Sequence, residues 1–307
     1  MDVFTNSVNS TYNRTNLLFD EETPKPIQRL GKIHIGTSGY SFNDWQGPFY
    51  PKGLPRGKWL DYYAQHFSAV EINATYYRTP PLATFQSMVD RTPDDFEFWV
   101  KVPGLATHTN DDFSQSVQQF IEAIKPLSDA GKLKGVLAQF PPYFRRSVKS
   151  QDKLACLKDS IGETRLAVEF RHKDWLVDET YVFLTDHRIM YVVVDLPDLP
   201  DLPGSEIHKS DAVSYVRFHG RNSRTWNNTE LGDRYDYDYS TDELTKWLPR
   251  IAELDAEGST AYLFFNNCHA GFAAKNAKTM QDMLQPDMFK SPEEQSNKKE
   301  QNSAATD

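Results

Sequence analysis

The chain has 307 residues, 39% hydrophobic and 25% charged, an ordinary globular balance with enough material for one sizeable core. Its formal net charge of -9 argues against sequence-blind capture of nucleic acid, which depends on lysine and arginine replacing phosphate counterions. The longest apolar runs, such as Met190–Val194, are far too short to span a bilayer, so no membrane partner is expected.

Met1 to Asp20 has neither the basic start nor the apolar stretch of a secretory signal. Cys156 and Cys268 are the only cysteines and lack CxxC spacing, which suits a reducing compartment and no structural zinc. A cytoplasmic location is the resulting expectation.

Residues 1–30 are rich in Asn, Thr and Ser without periodicity and read as a polar extension; residues 291–307 read as a disordered polar tail. Between them, over 31–290, short β-branched and aromatic runs alternate with amphipathic segments. In chain order the strands are expected at Ile33–Gly36, Ala69–Ile72, Phe96–Val100, Gly135–Phe140, Leu166–Phe170, Met190–Val194, Ser214–Phe218 and Ala261–Phe265. Helical periodicity falls at Lys58–Phe67, Leu82–Arg91, Ser114–Ala130, Gln151–Ile161, Asp178–His187, Thr241–Glu257 and Ala273–Leu284. No helix is expected after the sixth strand, because Leu196–Asp211 repeats a Pro-Asp-Leu pattern with three prolines. Eight βα units at comparable spacing predict a single α/β domain, a TIM (β/α)₈ barrel of about 250 residues, in preference to an open doubly wound sheet.

Alternate residues of a barrel strand point inward, and those at the strand's C-terminal end reach the rim where barrel enzymes place their chemistry. One parity per strand collects His34, Ser38, Glu71, Asn73, Lys101, Gln139, Glu169, Arg171, Asp195, Arg217, His219, Arg221 and Asn266. The opposite parity, as in Val168, Phe170, Val216, Phe218, Leu263 and Phe265, is apolar and suits packing against outer helices. So many charges at one rim are costly unless they pair with each other or with a ligand. The bland alternative is an ion-pair network of Glu71, Glu169, Arg171 and Arg217 that merely closes the barrel.

Glu169 or Glu71 is the expected general acid/base. Lys101 can hold an anion or act as a low-pKa amine, with anion binding preferred, and Arg217 and Arg221 flanking His219 suit a phosphate or carboxylate. Aromatics crowd the expected rim loops, among them Tyr40, Trp45 and Tyr77, and can stack on a ligand or form a packed lid. Glu71, Glu169, Asp195 and His219 are ligand types for a divalent ion, yet no HxH, HExxH or DxD spacing is present and nearby cations repel a metal. No cofactor is therefore expected, a divalent ion being the alternative.

Seven motifs run in order from Lys32 to Leu284: Ile35-Gly-Thr-Ser-Gly-Tyr-Ser, Trp45-Gln-Gly-Pro-Phe-Tyr-Pro, Val70-Glu-Ile-Asn, Phe140-Pro-Pro, Val168-Glu-Phe-Arg-His, Tyr215-Val-Arg-Phe-His-Gly-Arg and Phe265-Asn-Asn. Together they resemble the YecE-like family, a bacterial and archaeal domain of unknown function. The resemblance implies a TIM barrel in a microbial cytoplasm and supplies no activity. It also implies a site lined by Glu71, Asn73, Lys101, Glu169, Arg171, Arg217, His219, Asn266 and Asn267. Members are similar in architecture to xylose-isomerase-like and endonuclease-IV-like barrels, whose histidine-rich metal ligands are not visible here.

The function expected on these grounds is an enzyme, of hydrolase or isomerase/lyase type, acting on a small anionic, sugar- or phosphate-bearing metabolite. Lys101, Arg171 and Arg217 would hold the anion, and Asn73, Arg221, Asn266, Asn267, Tyr40, Trp45 and Tyr77 would complete the pocket. The alternatives are nucleic-acid binding or processing, with aromatics stacking bases, and a ligand-binding barrel without catalysis.

Overall fold

In the computed structural model the described residues are 33–109, 111–208, 212–228, 230, 232–255 and 260–284. The sequence readings on 1–30 and 291–307 lie outside them. Eight strands form: β1 Ile33–Thr37, β2 Ala69–Ile72, β3 Glu97–Lys101, β4 Leu133–Gln139, β5 Leu166–Glu169, β6 Ile189–Asp195, β7 Val213–Phe218 and β8 Thr260–Phe265. They pair in parallel in the order β1-β8-β7-β6-β5-β4-β3-β2. The sheet therefore curls back on itself as a TIM barrel.

The seam between β1 and β2 is a single bridge, Ser38 to Glu71, where Gly39 N–H donates to the Glu71 carbonyl at 2.7 Å. Below it the phenol of Tyr63 takes the place of ladder bonds, accepting from Thr37 N–H at 2.8 Å and donating to the Ala69 carbonyl at 3.1 Å. Gly36 permits that approach, since a Cβ there would stand 2.1 Å from the Ala69 oxygen.

The helices are α1 Trp59–Tyr63, α2 Leu82–Asp90, α3 Gly104–His108, α4 Ser114–Asp129, α5 Val148–Ile161, α6 Asp178–Asp186, α7 Thr241–Thr245, α8 Leu248–Asp255 and α9 Phe272–Met283. Four details differ from expectation, the first being that the helix expected over Lys58–Phe67 is the shorter α1. The helix expected over Thr241–Glu257 is broken into α7 and α8, because Pro249 has no N–H for the Thr245 carbonyl. Helix α5 begins earlier, capped by the Ser147 hydroxyl accepting from Ser150 N–H. The short α3 carried no periodic signal. Among the described residues of 196–208 no helix forms, as the prolines require.

Two apolar assemblies follow the strand alternation. Val168, Phe170, Val216, Phe218, Leu263 and Phe265 face outward and join the large core under the helices. Ala69, Trp99, Leu137, Ala167, Met190, Val192, Val194, Tyr215, Tyr262 and Phe264 fill the barrel interior. Trp99 lies across the middle of that interior, edge-on to Tyr215 with ring centroids 4.6 Å apart, in space left by Gly135. The plug separates the two ends of the barrel. At the N-terminal end Glu97 accepts from Tyr262 at 2.8 Å and pairs with His34 at 3.1 Å and Lys134 at 3.3 Å.

Candidate functional site

Above the aromatic plug, the C-terminal ends of β2, β5 and β7 deliver Glu71, Glu169 and Arg217 to the barrel axis, each no more than 1% exposed. Arg217 joins the two carboxylates: Nη2 donates to Glu71 Oε1 at 2.7 Å and Nη1 to Glu169 Oε2 at 2.5 Å. Tyr215, two residues before Arg217 on the same face, donates its hydroxyl to Glu71 Oε2 at 2.5 Å. Arg171 Nε donates to Glu169 Oε1. All four carboxylate oxygens thus carry a donor, which is how two buried carboxylates are tolerated. Burial alone would raise the Glu169 carboxyl, but Arg171, Arg217 and His219 outweigh it and hold it well below the ordinary range.

His219 sits 3.2 Å through Nε2 from Glu169 Oε2, and its Nδ1 is 2.9 Å from the Asn266 amide nitrogen. Burial depresses the imidazole to about 3 against the pull of Glu169, so the ring is neutral at pH 7. A carboxylate can only accept, so we assign the ring proton to Nε2, leaving Nδ1 to accept from Asn266.

A cavity of about 700 Å³ opens directly above this network. Its walls include Lys101, His108, Arg171, Arg217 and Arg234, polar Asn73, Gln139, Asn227 and Asn266, and the rings of Phe42, Tyr76, Tyr77, Trp226 and Tyr235. Among the described residues that line it there is no Asp or Glu. A second cavity, about 890 Å³, lies at the N-terminal end of the strands, where Lys134, Lys158 and Arg165 are interspersed with Asp159, Glu163 and Asp186. The mixed signs there and the fold's habit of placing chemistry at the C-terminal face favour the first cavity.

Lys101 Nζ donates to the neutral amide oxygen of Gln139 at 2.8 Å and lies 4.7 Å from the Tyr76 ring centre. Burial, followed by the charge of Arg217, pulls its ammonium down to about 7. Two carboxylates already balance the guanidiniums of Arg171 and Arg217, which leaves Lys101 without a carboxylate partner in the cluster. Arg171 and Arg234 approach the Trp226 ring, their guanidinium carbons 5.5 and 5.7 Å from its centre. The Asn73 side-chain oxygen is buried without a hydrogen-bond partner.

The structure thus brings together Glu71, Asn73, Lys101, Glu169, Arg171, Arg217, His219, Asn266 and Tyr77, and it moves five expected rim residues elsewhere. Arg221 turns outward because Gly220, with φ +90°, breaks the strand alternation after His219. There it clasps Asp195, Nε to Oδ1 at 2.7 Å and Nη2 to Oδ2 at 2.6 Å. Asp195 itself faces the helices, since Val192 and Val194 take the inward positions of β6, and it also accepts from Trp247 Nε1 at 2.6 Å and the Tyr239 hydroxyl at 3.0 Å. Asn267 bonds Asn276 at 2.7 Å and the Tyr237 carbonyl at 2.8 Å, tying α9 to the loop after β7. Trp45 is fully buried and donates to the Cys268 carbonyl at 2.7 Å; the Tyr40 carbonyl accepts from Tyr50 at 2.5 Å, and neither aromatic lines the cavity.

His108 and Arg234 had no signal in the pattern, since they reach the cavity from α3 and from the long loop after β7. Tyr215 could have been found, because it shares the parity of Arg217. Among the described residues no three His, Cys, Asp or Glu side chains are grouped so as to hold a metal ion, and none of the helices is long and apolar enough to cross a membrane.

The comparisons agree with this architecture. The family described as protein of unknown function DUF72 matches residues 34–301. The chain is 30% identical over 269 residues to UPF0759 protein YunF of Bacillus subtilis (strain 168), covering 82% of this chain and 94% of that protein. A solved DUF72 family protein of Thermotoga maritima MSB8 is 42% identical, with a TM-score of 0.76 over 82% of this chain and 98% of its own. Another, from Enterococcus faecalis V583, is 25% identical with a TM-score of 0.73 over 82% of this chain and 95% of its own. As the sequence motifs implied, and with the barrel now in view, the chain belongs to the DUF72 family.

Proposed function

We propose that this barrel binds and transforms a small anionic metabolite in the cavity at its C-terminal rim. The observation that carries this reading is the charge of the walls: Lys101, Arg171, Arg217 and Arg234 line the cavity, with no carboxylate among its described lining residues, in a chain of net charge -9. Arg171 gives only its Nε–H to Glu169, and its Nη2 stands 3.4 Å from His219 Nε2, so its terminal nitrogens have no carboxylate and suit the oxygens of a phosphate or carboxylate. The unpartnered oxygen of Asn73 suits a hydroxyl of the same ligand, as in a sugar acid or sugar phosphate.

The saturated carboxylates alter the roles expected for them. Glu71 and Glu169 hold the arginines in place, since every oxygen of both accepts a hydrogen bond, and Glu169, held well below the ordinary range, removes protons poorly. Acid/base work falls instead to groups on the cavity wall, Lys101 foremost.

The test is a thermal-shift and calorimetric titration with inorganic phosphate and with hydroxylated carboxylates and phosphates, on the natural chain and on Arg234→Ala. Arg234 lies over Trp226 and is held by no ion pair among the described residues, so its removal spares the fold. Loss of one charged hydrogen-bond donor, worth about 1.5 kcal/mol, lowers anion affinity roughly ten-fold. A midpoint unmoved by every anion, in both proteins, removes the reading.

A further inference from the structure

We infer that Lys101 is a nucleophilic amine and that the ligand of this cavity is an aldehyde or ketone bearing the anionic group, captured as an imine. The inference deepens the anion-site reading and rests on it only for the ligand's charged end.

Position argues for it first. Lys101 ends β3 on the barrel's inward face and projects into the cavity. It is the only lysine among the described lining residues. A lysine placed merely to hold charge in a folded interior is ordinarily matched to a carboxylate. Among the described residues Lys101 has none: its partners are the Gln139 amide oxygen and the Tyr76 ring, and Glu71 and Glu169 are fully occupied by the arginines and Tyr215. Gln139 accepts one N–H and leaves the nitrogen lone pair, once the amine is neutral, free to face the cavity.

Burial is the largest influence on the amine, and the charged groups around it pull in opposite directions. Arg217 and Arg171 oppose the ammonium, Glu169 and Glu71 favour it, and burial tips the balance toward the free amine, with half-titration at about 7. His108, across the same cavity, is pushed by burial and by Lys101 down to about 4 and is uncharged at pH 7. A desolvated amine beside fixed cations is the arrangement that activates lysine toward carbonyls.

The step balances without a co-reactant. The amine lone pair attacks the carbonyl carbon and forms the C–N bond, and the oxygen takes up a proton to give a carbinolamine. Loss of that oxygen as water leaves the protonated imine, so ammonium plus carbonyl yields iminium plus water. Arg171 and Arg234 would hold the ligand's anionic end about the Trp226 ring, with the carbonyl directed toward β3. The positive iminium then withdraws electrons from the adjacent carbon, the basis of isomerase and lyase chemistry.

The test incubates the full chain at pH 7 with glyceraldehyde 3-phosphate and sodium cyanoborohydride, followed by peptide mass mapping. Unphosphorylated glyceraldehyde is run in parallel, and thermal shift with inorganic phosphate reports on the anion site. The reduced adduct is expected on Lys101 at least about ten-fold faster than on any other lysine, because most lysines are almost wholly protonated at pH 7. Lys101→Arg, checked for folding by circular dichroism, should lose that adduct and keep the slow background. Should that variant not fold, the peptide map of the natural chain decides by itself. Adducts scattered over surface lysines with Lys101 unmodified overturn the inference, and a surviving phosphate shift then leaves the anion reading standing. Equal labelling of Lys101 by both aldehydes keeps the nucleophile and removes the anion reading.

Discussion

Arg217 and Arg221 stand four residues apart at the end of one strand, and both bind carboxylates, yet they belong to different parts of the molecule. Arg217 points inward, is 1% exposed, and bridges Glu71 and Glu169 under the cavity. Arg221 points outward, is one-third exposed, and clasps an Asp195 that has two further donors in Trp247 and Tyr239. Gly220 separates them. Its φ of +90° ends the alternation, and a Cβ there would meet Tyr237 at 2.6 Å. The lesson is that an Arg-carboxylate pair becomes part of a site through the side of the sheet it occupies, not through its chemistry.

The largest effect should come from Arg217→Met. Two buried carboxylates would lose their shared partner, and an uncompensated buried charge costs about 3–5 kcal/mol. Urea denaturation should show that loss together with loss of phosphate binding. A change below about 1 kcal/mol would show that Arg217 and its two carboxylates are not buried from water.

The inner network also carries a pH dependence. His219 has a folded pKa of about 3 against an ordinary 6.5. The unfolded chain therefore binds a proton that the folded chain refuses. Its contribution is fully present above pH 6.5 and is lost as pH falls toward 3, by up to about 1.4 kcal/mol per pH unit. Glu169, also depressed, adds its own loss only as pH falls below the ordinary carboxyl value of 4.5. Unfolding measured from pH 7 to 4.5 should thus show a shallower decline for His219→Gln than for the natural chain. Parallel curves would mean that the imidazole is not held neutral.

The smallest effect is expected for Arg221→Ala. Asp195 keeps the Trp247 and Tyr239 donors and the lost pair is partly solvated, so stability should fall by only about 1 kcal/mol. Anion affinity should not change, and an altered phosphate titration would show that Arg221 reaches the cavity after all.

Most of the barrel was legible because strand alternation and helical period are local properties of the chain. Ala69–Ile72 and Ala261–Phe265 announce themselves by their β-branched and aromatic runs, and Gly131 and Gly162 mark helix ends where the backbone turns to positive φ. The carboxylate and arginine sites on β2, β5 and β7 were legible for the same reason, since parity places Glu71, Glu169 and Arg217 on one face. The reading failed where parity ended. A single glycine redirected Arg221, and β6 turned Asp195 to the helices, because its inward positions belong to Val192 and Val194.

Local pattern in the chain was enough to specify the fold class, the inward face of most strands and the family. Three features depend on packing across the barrel and appear in no local pattern. Distant strands saturate the two carboxylates with donors. Residues from α3 and the loop after β7 complete a cavity without an acidic wall among its described residues. Lys101 is left without a carboxylate partner. The physical reason is that hydrogen-bond saturation and charge balance are sums over neighbours in space, whereas periodicity is a property of neighbours in the chain.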